Sequence, residues 1–145
     1  VGVIHKVIDN CSDEEKIQIG NVIILNLDKL INDEYANFII PIILNLKDFN
    51  MNQKIYEYVV DNLYDLSIKK YSSNVIEKVR CFYLKCLSID DINKNKIVEK
   101  LIEKKLVSEL ISDVYGNYII QKCLCVTQGS IFLNIIQVNI NLILR

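Results

Sequence analysis

Hydrophobic and polar residues along this chain repeat with a long period. Three nine-residue stretches align without gaps: YANFIIPII from Tyr35, YSSNVIEKV from Tyr71 and YGNYIIQKC from Tyr115. A fourth stretch, VGVIHKV at the start of the chain, fits the same frame without its first two residues. Equivalent positions therefore recur after 36, 36 and 44 residues. Repetition at a fixed period in this range is typical of proteins built from stacked repeats.

Each repeat predicts two helices. The segment before each aligned stretch carries apolar residues in register, namely Leu27, Leu63 and Val107, and then Leu30, Leu66 and Leu110. We expect a long amphipathic helix, a short turn at the aromatic residue, and a second helix that begins near the Asn or Ser. Such a unit cannot bury its own apolar face, so its neighbours must cover it. The pattern predicts an all-α fold, an α-solenoid of stacked helical repeats.

The spacing divides the chain into units of one domain. We expect the end of a repeat at 1–11 and complete repeats at 12–47, 48–84 and 85–128. The extra residues of the last step fall around CLSIDDINKNK, which predicts a longer loop. Because the chain begins with Val rather than Met, inside an apolar pattern, we expect it to be part of a longer protein.

The second helix of each unit carries three variable positions at i, i+1 and i+4, which we call its trio. In chain order the trios are Val1, Gly2 and His5; Asn37, Phe38 and Pro41; Ser73, Asn74 and Glu77; and Asn117, Tyr118 and Gln121. The first and last trio positions lie one turn apart on one helix face. The residues between them should be core: Ile39, Ile40, Val75, Ile76, Ile119 and Ile120. A different set at the same place in each repeat predicts a recognition surface.

The trio side chains suit the recognition of nucleic acid bases. The amides of Asn117 and Gln121 present donors and acceptors in a plane, which suits the edge of a uracil. Ionised Glu77 only accepts hydrogen bonds, so it suits the N1–H and amino donors of guanine, with the Ser73 hydroxyl alongside. An aromatic or flat polar side chain in the middle position can lie against a base, which contributes about 1–3 kcal/mol per base.

Helix capping is the competing interpretation of the same residues. Ser or Asn at a helix start is commonly an N-cap, and Ser73 with Glu77 could form a loose capping arrangement. Capping does not account for Gln121 or for the variation at the middle positions. A catalytic role for Glu77 is disfavoured, because no partner carboxylate motif accompanies it. We interpret His5 as a trio position rather than a metal ligand or base.

Composition and charge narrow the class of protein further. Hydrophobic content is 51% and charged content 24%, as in ordinary globular domains, and one proline with four glycines argues against a β-sandwich or barrel. A net charge of −1 counts mildly against a binder that relies on phosphates alone. No phosphate-binding loop or metal constellation is visible, so no cofactor is expected. The apolar runs are too short or too interrupted for a membrane segment.

The cysteines do not indicate a disulfide framework or a zinc site. They are Cys11, Cys81, Cys86, Cys123 and Cys125. Their number is odd, no CxxC occurs and no histidine lies near them. We expect reduced thiols packed in the helical core of an intracellular protein.

The motifs SNVIEK and GNYIIQK, with ANFII 36 residues before the first, resemble the Pumilio (PUF) family of RNA-binding proteins. The resemblance covers nearly the whole chain. It implies the C-terminal half of a PUF domain, with residues 129–145 as the start of the C-terminal cap. It also implies a crescent of three-helix repeats that binds single-stranded RNA on its concave face, one base per repeat.

The resemblance assigns bases to two trios. It implies that Asn117 and Gln121 contact U with Tyr118 stacked on the base. It implies that Ser73 and Glu77 contact G, with the middle residue of that trio, Asn74, in the stacking place. Since the RNA runs antiparallel to the protein in this family, these bases would be 5′-UG.

The other two trios depart from the family pattern. Asn37 and Phe38 fit a further U, but Pro41 stands where the family has Gln. Proline removes that contact and is tolerated only in the first turn of its helix. Gly2 and His5 are weaker candidates still, because Gly2 cannot stack and His5 replaces Gln.

Lys78 and Lys122 follow the last trio positions and are additional groove candidates, although a solvated helix face explains lysines there equally well. By resemblance, such proteins bind the 3′ untranslated regions of mRNA in the cytoplasm and recruit co-repressors or deadenylases through the convex face. We nominate SIDDINKNK for protein contacts.

Two alternatives stay open at this point. One is a degenerate PUF-like factor of ribosome biogenesis, nucleolar and of low sequence specificity, which the altered first and second trios favour. The other is an armadillo-like protein-binding scaffold without an RNA role, which the mild acidity favours.

Overall fold

The computed structural model describes residues 2–85, 100 and 104–124, and every regular element in those ranges is helical. The helices are α1 (Gly2–Asn10), α2 (Asp13–Leu25), α3 (Leu27–Leu30), α4 (Ile39–Asn45), α5 (Phe49–Asp61), α6 (Leu63–Ser67), α7 (Lys70–Lys85), α8 (Lys104–Ser112) and α9 (Val114–Leu124). A 3-10 turn at Ala36–Phe38 precedes α4. Val1, the whole of the predicted loop CLSIDDINKNK, which includes SIDDINKNK, and the segment 129–145 lie outside the described residues.

The long first helix expected in each unit is divided in two. Asn26 separates α2 from α3, and Asn62 separates α5 from α6. Both asparagines have non-helical backbone angles, and their side-chain amides donate to carbonyls four residues earlier, of Val22 at 2.8 Å and Tyr58 at 2.9 Å. An Asn side chain that bonds the backbone in this way competes with the helix. The prediction of one long helix was therefore wrong, and these units have three helices each.

The turn expected at the aromatic residue forms only in the second unit. There Tyr35 precedes the 3-10 turn, whereas Tyr71 and Tyr115 already lie inside α7 and α9. The prediction of a turn at those two tyrosines was wrong. Pro41 is the third residue of α4, in the first turn, where its missing N–H costs no helical hydrogen bond. The expectation that Pro41 lies in the first turn of its helix is therefore confirmed.

Side-by-side packing of the second helices builds the core. Helix α4 packs against α1 and α7, and α7 packs against α9; behind this row, α2 packs on α5 and α6 on α8. The residues predicted to be core are buried: Leu27, Ile40, Leu63, Leu66, Val75, Ile76, Val107, Leu110, Ile119 and Ile120. Leu30 and Ile39 are half-buried and pack against the same core. The α-solenoid prediction is confirmed.

Two aspartates, missed at the sequence level, set the turns into the second helices. Asp33 Oδ1 accepts from the backbone N–H groups of Tyr35 at 2.9 Å and Ala36 at 2.7 Å. Asp113 makes the same pair of hydrogen bonds with Tyr115 and Gly116, at 2.9 and 2.7 Å. The Ala36 and Tyr35 N–H groups lower the pKa of the Asp33 carboxyl below its ordinary value.

The residue after each aromatic lies against the preceding helix. In the third unit the Ser72 hydroxyl donates to the Leu66 carbonyl at 2.7 Å. At the equivalent place in the fourth unit is Gly116, where an added Cβ would lie 2.8 Å from the Leu110 carbonyl oxygen and 2.8 Å from Leu110 Cδ2. The close approach of α8 and α9 therefore depends on glycine at this position.

Within the described ranges no helix is long and apolar enough to cross a membrane. In that same part of the chain Cys11 and Cys81 are free thiols, and no cluster of His, Cys, Asp and Glu side chains could hold a metal ion. The positions of Cys86 and Cys125 and the side chain of Cys123 lie outside what the structure describes.

Gly116→Ala should destabilise the protein by about 1–3 kcal/mol, because the new methyl group overlaps a backbone carbonyl that cannot move without separating α8 from α9. The measurement is the free energy of unfolding from urea denaturation. Gly2→Ala is the matched control, since nothing lies within 4 Å of a Cβ there. Equal stability of the two variants would contradict the close approach at Gly116.

Asp33→Ala should lower the melting temperature at neutral pH, because two backbone N–H groups lose their acceptor. The pKa of Asp33 is lowered in the folded protein. Its contribution is therefore present above the unfolded carboxyl pKa of about 3.9 and is lost as the pH falls through the folded value. The melting-temperature difference between wild type and variant should shrink below about pH 4. Glu34→Ala removes the adjacent exposed carboxyl and serves as control; a difference that is constant with pH would refute the capping role.

Candidate nucleic-acid interface

The trios lie on helices that stand side by side. Gly2 and His5 of the first trio are on α1, the second trio is on the 3-10 turn and α4, the third on α7 and the fourth on α9. Since α1, α4, α7 and α9 pack against one another in this order, the trios form one continuous strip, which we call the trio row. The lines along which α4 meets α7 and α7 meets α9 are called the α4–α7 seam and the α7–α9 seam.

The trio of α9 presents the pair of amides that the sequence predicted. Gln121 Nε2 donates to Asn117 Oδ1 at 3.3 Å, one helical turn apart. Gln121 is exposed and Asn117 half-buried. Tyr118 is 38% exposed, so part of its ring is accessible to a ligand. The geometry leaves the Asn117 amide nitrogen and the Gln121 carbonyl oxygen free to pair with a base edge.

The trio of α7 is less open. Ser73 is only 3% exposed, and its hydroxyl donates to the Lys70 carbonyl at 3.1 Å. Because α7 begins at Lys70, Ser73 lies inside the helix and does not cap it. Asn74 is exposed, with its amide donating to the same carbonyl at 3.3 Å. The capping interpretation of Ser73 with Glu77 is therefore wrong. While its hydroxyl donates to Lys70, the Ser73 oxygen can contact a base only as an acceptor.

Glu77 is bonded across the α7–α9 seam. The Tyr118 hydroxyl donates to Glu77 Oε2 at 3.0 Å, and Lys122 Nζ lies 3.6 Å from Glu77 Oε1. Lys122 also lies over the Tyr118 ring, 5.2 Å from its centroid. We call these three residues the seam cluster. The neighbouring Tyr118 hydroxyl and the Glu77 carboxylate raise the pKa of the Lys122 ammonium above its ordinary value.

The trio of the second unit is only partly available. Asn37 is 2% exposed, and its amide nitrogen donates to the carbonyls of Asp33 at 2.7 Å and Glu34 at 2.9 Å. While its amide nitrogen donates to these two carbonyls, Asn37 cannot donate to a base, and its burial leaves little access to the side-chain oxygen. Phe38 is 51% exposed and Pro41 half-buried. In this structure the second trio therefore offers a stacking surface without a base-edge group.

The α4–α7 seam differs from the α7–α9 seam in its side chains. An opening of about 190 Å³ lies between the two helices, lined by Pro41, Leu44, Asn45, Lys78, Cys81 and Phe82. Pro41 and Lys78 hold the places that Glu77 and Lys122 hold one unit later. Proline has no group that a tyrosine or lysine could bond.

The first trio lies at one end of the row. Gly2 and His5 are both exposed on α1, and α1 meets the row by packing against α4. Lys6 follows His5 and is exposed as well. The structure thus places these weaker candidates on the same strip, without the polar contacts seen on α9.

The main feature that the sequence did not predict is the bonding between units. Tyr118 and Glu77 are 41 residues apart, and each was assigned to its own base. The repeat alignment held a usable signal: the middle residue of one trio and the last residue of the preceding trio both face the same seam.

Comparisons with known proteins agree with this architecture. The model of the Pumilio-family RNA binding repeat matches residues 3–24, 62–79 and 107–137. A Pumilio domain-containing protein of Schizosaccharomyces pombe is 29% identical over 122 residues, which are 84% of this chain and 17% of the relative. Pumilio homolog 12 of Arabidopsis thaliana is 29% identical over 130 residues, 89% of this chain and 21% of the relative. The chain thus spans about a fifth of the length of each relative.

A solved structure has the same fold. The crystal structure of the RNA-binding domain of yeast Puf5p bound to MFA2 RNA superimposes with a TM-score of 0.69 at 28% identity, over 83% of this chain and 36% of that one. The repeat matches, the relatives and the shared fold lead to one conclusion. This chain belongs to the Pumilio (PUF) family of RNA-binding repeat proteins and forms part of a PUF domain.

Proposed function

We propose that this chain binds single-stranded RNA sequence-specifically, with the trio row as the contact surface. The observation that carries the proposal is the α7–α9 seam. There an amide pair, an exposed aromatic ring and an acceptor-only carboxylate lie on adjacent helices, with Lys122 beside them. Amides and carboxylates distinguish bases by their donors and acceptors, and an aromatic ring binds any base by stacking.

The proposal assigns 5′-UG to the two best-formed trios. Asn117 and Gln121 contact U, and Glu77 contacts G through its N1–H and amino group. A third U at the second unit would rest mainly on Phe38, because Asn37 is engaged with the backbone and Pro41 has no donor or acceptor in its side chain. The expected target is thus a UGU-type element in an mRNA 3′ untranslated region, with repression in the cytoplasm as the outcome and co-repressors or deadenylases on the convex face.

Charge supports recognition through bases rather than through phosphates. The chain has a net charge of −1, so non-specific attraction to the RNA backbone is weak. Affinity must then come from stacking and base-edge contacts, which carry sequence information. This favours a selective binder over one that coats any RNA.

The second trio favours one alternative, a PUF-like factor with little sequence specificity. The buried Asn37 and the proline at position 41 leave the second unit without a base-edge group, as in a PUF-like factor of ribosome biogenesis that binds RNA with little specificity. Such a factor would bind UGU and altered RNAs equally well.

The deciding experiment is fluorescence anisotropy with two short single-stranded RNAs at one salt concentration. One contains UGU, and in the other the G is replaced by C. Preference for the UGU probe supports the proposal. Equal binding supports the low-specificity alternative, and no binding to either RNA supports a protein-binding scaffold.

Ser73→Asn combined with Glu77→Gln should change the preferred base at this position from G to U. The substitution replaces an acceptor-only group by an amide pair like that of α9, and the change should be worth about 1–3 kcal/mol by analogy with bidentate base contacts. Anisotropy with UGU and UUU probes measures it. The reciprocal variant, Asn117→Ser with Gln121→Glu, should favour G at the neighbouring base. If the first double variant still prefers G, Glu77 does not discriminate the base.

Tyr118→Ala should weaken binding to both the UGU and the UCU probe, because the base between the two units loses its stacking partner, at a cost of about 1–3 kcal/mol. UGU should remain preferred because Glu77 is retained, although the UGU-to-UCU ratio should fall with the loss of the hydroxyl that bonds Glu77. Val114→Ala, at another exposed apolar residue of α9, is the control. Unchanged affinity of the Tyr118 variant for both probes would show that the ring does not stack on RNA.

A further inference from the structure

The seam cluster gives Glu77 two partners from the next repeat. Its carboxylate is largely covered, with its side chain 17% exposed, and one oxygen accepts from the Tyr118 hydroxyl while the other pairs with Lys122. A glutamate side chain on a helix surface otherwise samples several rotamers, and fixing one costs conformational entropy. In the folded protein the two contacts already fix the Glu77 rotamer, so ligand binding does not carry this entropic cost.

The two contacts leave part of the hydrogen-bonding capacity of the Glu77 carboxylate unused. An ionised carboxylate offers about four lone-pair sites over its two oxygens. The Tyr118 hydroxyl occupies one site on Oε2, and Lys122 approaches Oε1. Both oxygens keep capacity for one more donor, which is what the parallel N1–H and amino donors of guanine require.

The α4–α7 seam shows what the row is like without such a cluster. There Asn74 takes the place of Tyr118, Pro41 that of Glu77 and Lys78 that of Lys122, so no carboxylate stands at the last trio position. At the α7–α9 seam the hydroxyl and the ammonium are both bonded to the Glu77 carboxylate itself.

We propose that the Tyr118 hydroxyl and the Lys122 ammonium position the Glu77 carboxylate and thereby determine the guanine preference of the preceding repeat. The inference rests on the proposed function, since it concerns how the same surface selects its base. Tyr118 then has two separable roles: its ring stacks on a base, and its hydroxyl sets the specificity of the neighbouring site. Tyr118 and Lys122 act on the guanine through Glu77 and are positioning residues.

The test is the ratio of dissociation constants for UCU and UGU probes at one salt concentration, measured on the wild-type chain and on Tyr118→Phe. The phenylalanine keeps the stacking ring and removes only the hydroxyl. We expect the affinity for UCU to stay within about twofold and the preference for UGU to fall by roughly three- to tenfold, the effect of one hydrogen bond. Lys122→Met should lower the same ratio, together with a general loss of affinity from its missing charge.

Tyr64→Phe is the matched control. Tyr64 has Glu109 as a neighbour, whose charge raises the pKa of the phenol. This second tyrosine–glutamate pair joins α6 to α8 and involves no trio residue. Its loss should leave the ratio unchanged, which separates positioning of Glu77 from a general weakening of contacts between the third and fourth repeats.

The outcomes separate the inference from the proposed function. A wild-type chain that does not distinguish the two probes overturns both. A wild-type preference that Tyr118→Phe and Lys122→Met both retain overturns the positioning role alone. An equal loss of affinity for both probes in Tyr118→Phe, with the ratio unchanged, also overturns it, because the hydroxyl would then support binding without selecting the base.

Discussion

The structure depends on one constraint: no repeat can bury its apolar face without the next. Each unit supplies a row of isoleucine, leucine and valine side chains that become core only when α4, α7 and α9 lie side by side. That packing fixes the register between units. Because register is fixed in the core, the side chains on the opposite face of the same helices are aligned as well. The recognition surface is thus a direct consequence of how the apolar residues are buried.

The same close approach brings polar residues of different repeats into contact. Tyr118 reaches the Glu77 carboxylate because α9 packs directly on α7. Gly116 allows α9 its close approach to α8, since an added Cβ would meet the Leu110 carbonyl. Base recognition in such an array is therefore not a strict sum of independent units. Each seam carries its own chemistry, bonded between α7 and α9 and open between α4 and α7.

The periodicity in the sequence predicted the core well and the local backbone less well. A 36-residue step places Leu27 and Leu63 in equivalent environments whatever the details of the helices, because burial follows the period. The periodicity did not predict the helix breaks at Asn26 and Asn62, because each break arises from a single side chain that competes with the backbone for hydrogen bonds. Contacts such as that of Tyr118 with Glu77 could not be derived from one repeat, because they exist only once two repeats are docked. The burial of Asn37 could not be derived from the aligned sequences either, since Asn117 at the equivalent position is only half-buried.

Lys122 also resolves an electrostatic difficulty of the proposed surface. A carboxylate on the RNA-facing surface repels the RNA backbone, because the carboxylate and each phosphate carry the same sign of charge. An ammonium 3.6 Å from the carboxylate offsets that charge while leaving the acceptor oxygens in place. The pair is then close to neutral at long range and remains a hydrogen-bond acceptor at short range, which is what selection of guanine against the other bases requires. At the α4–α7 seam the lysine is retained and the carboxylate is replaced by Pro41, so the positive charge of Lys78 is left without a carboxylate at that trio position to offset it. The lysines that follow the trios thus differ in their surroundings: Lys122 is paired with a carboxylate, whereas Lys78 has Pro41 at the equivalent position.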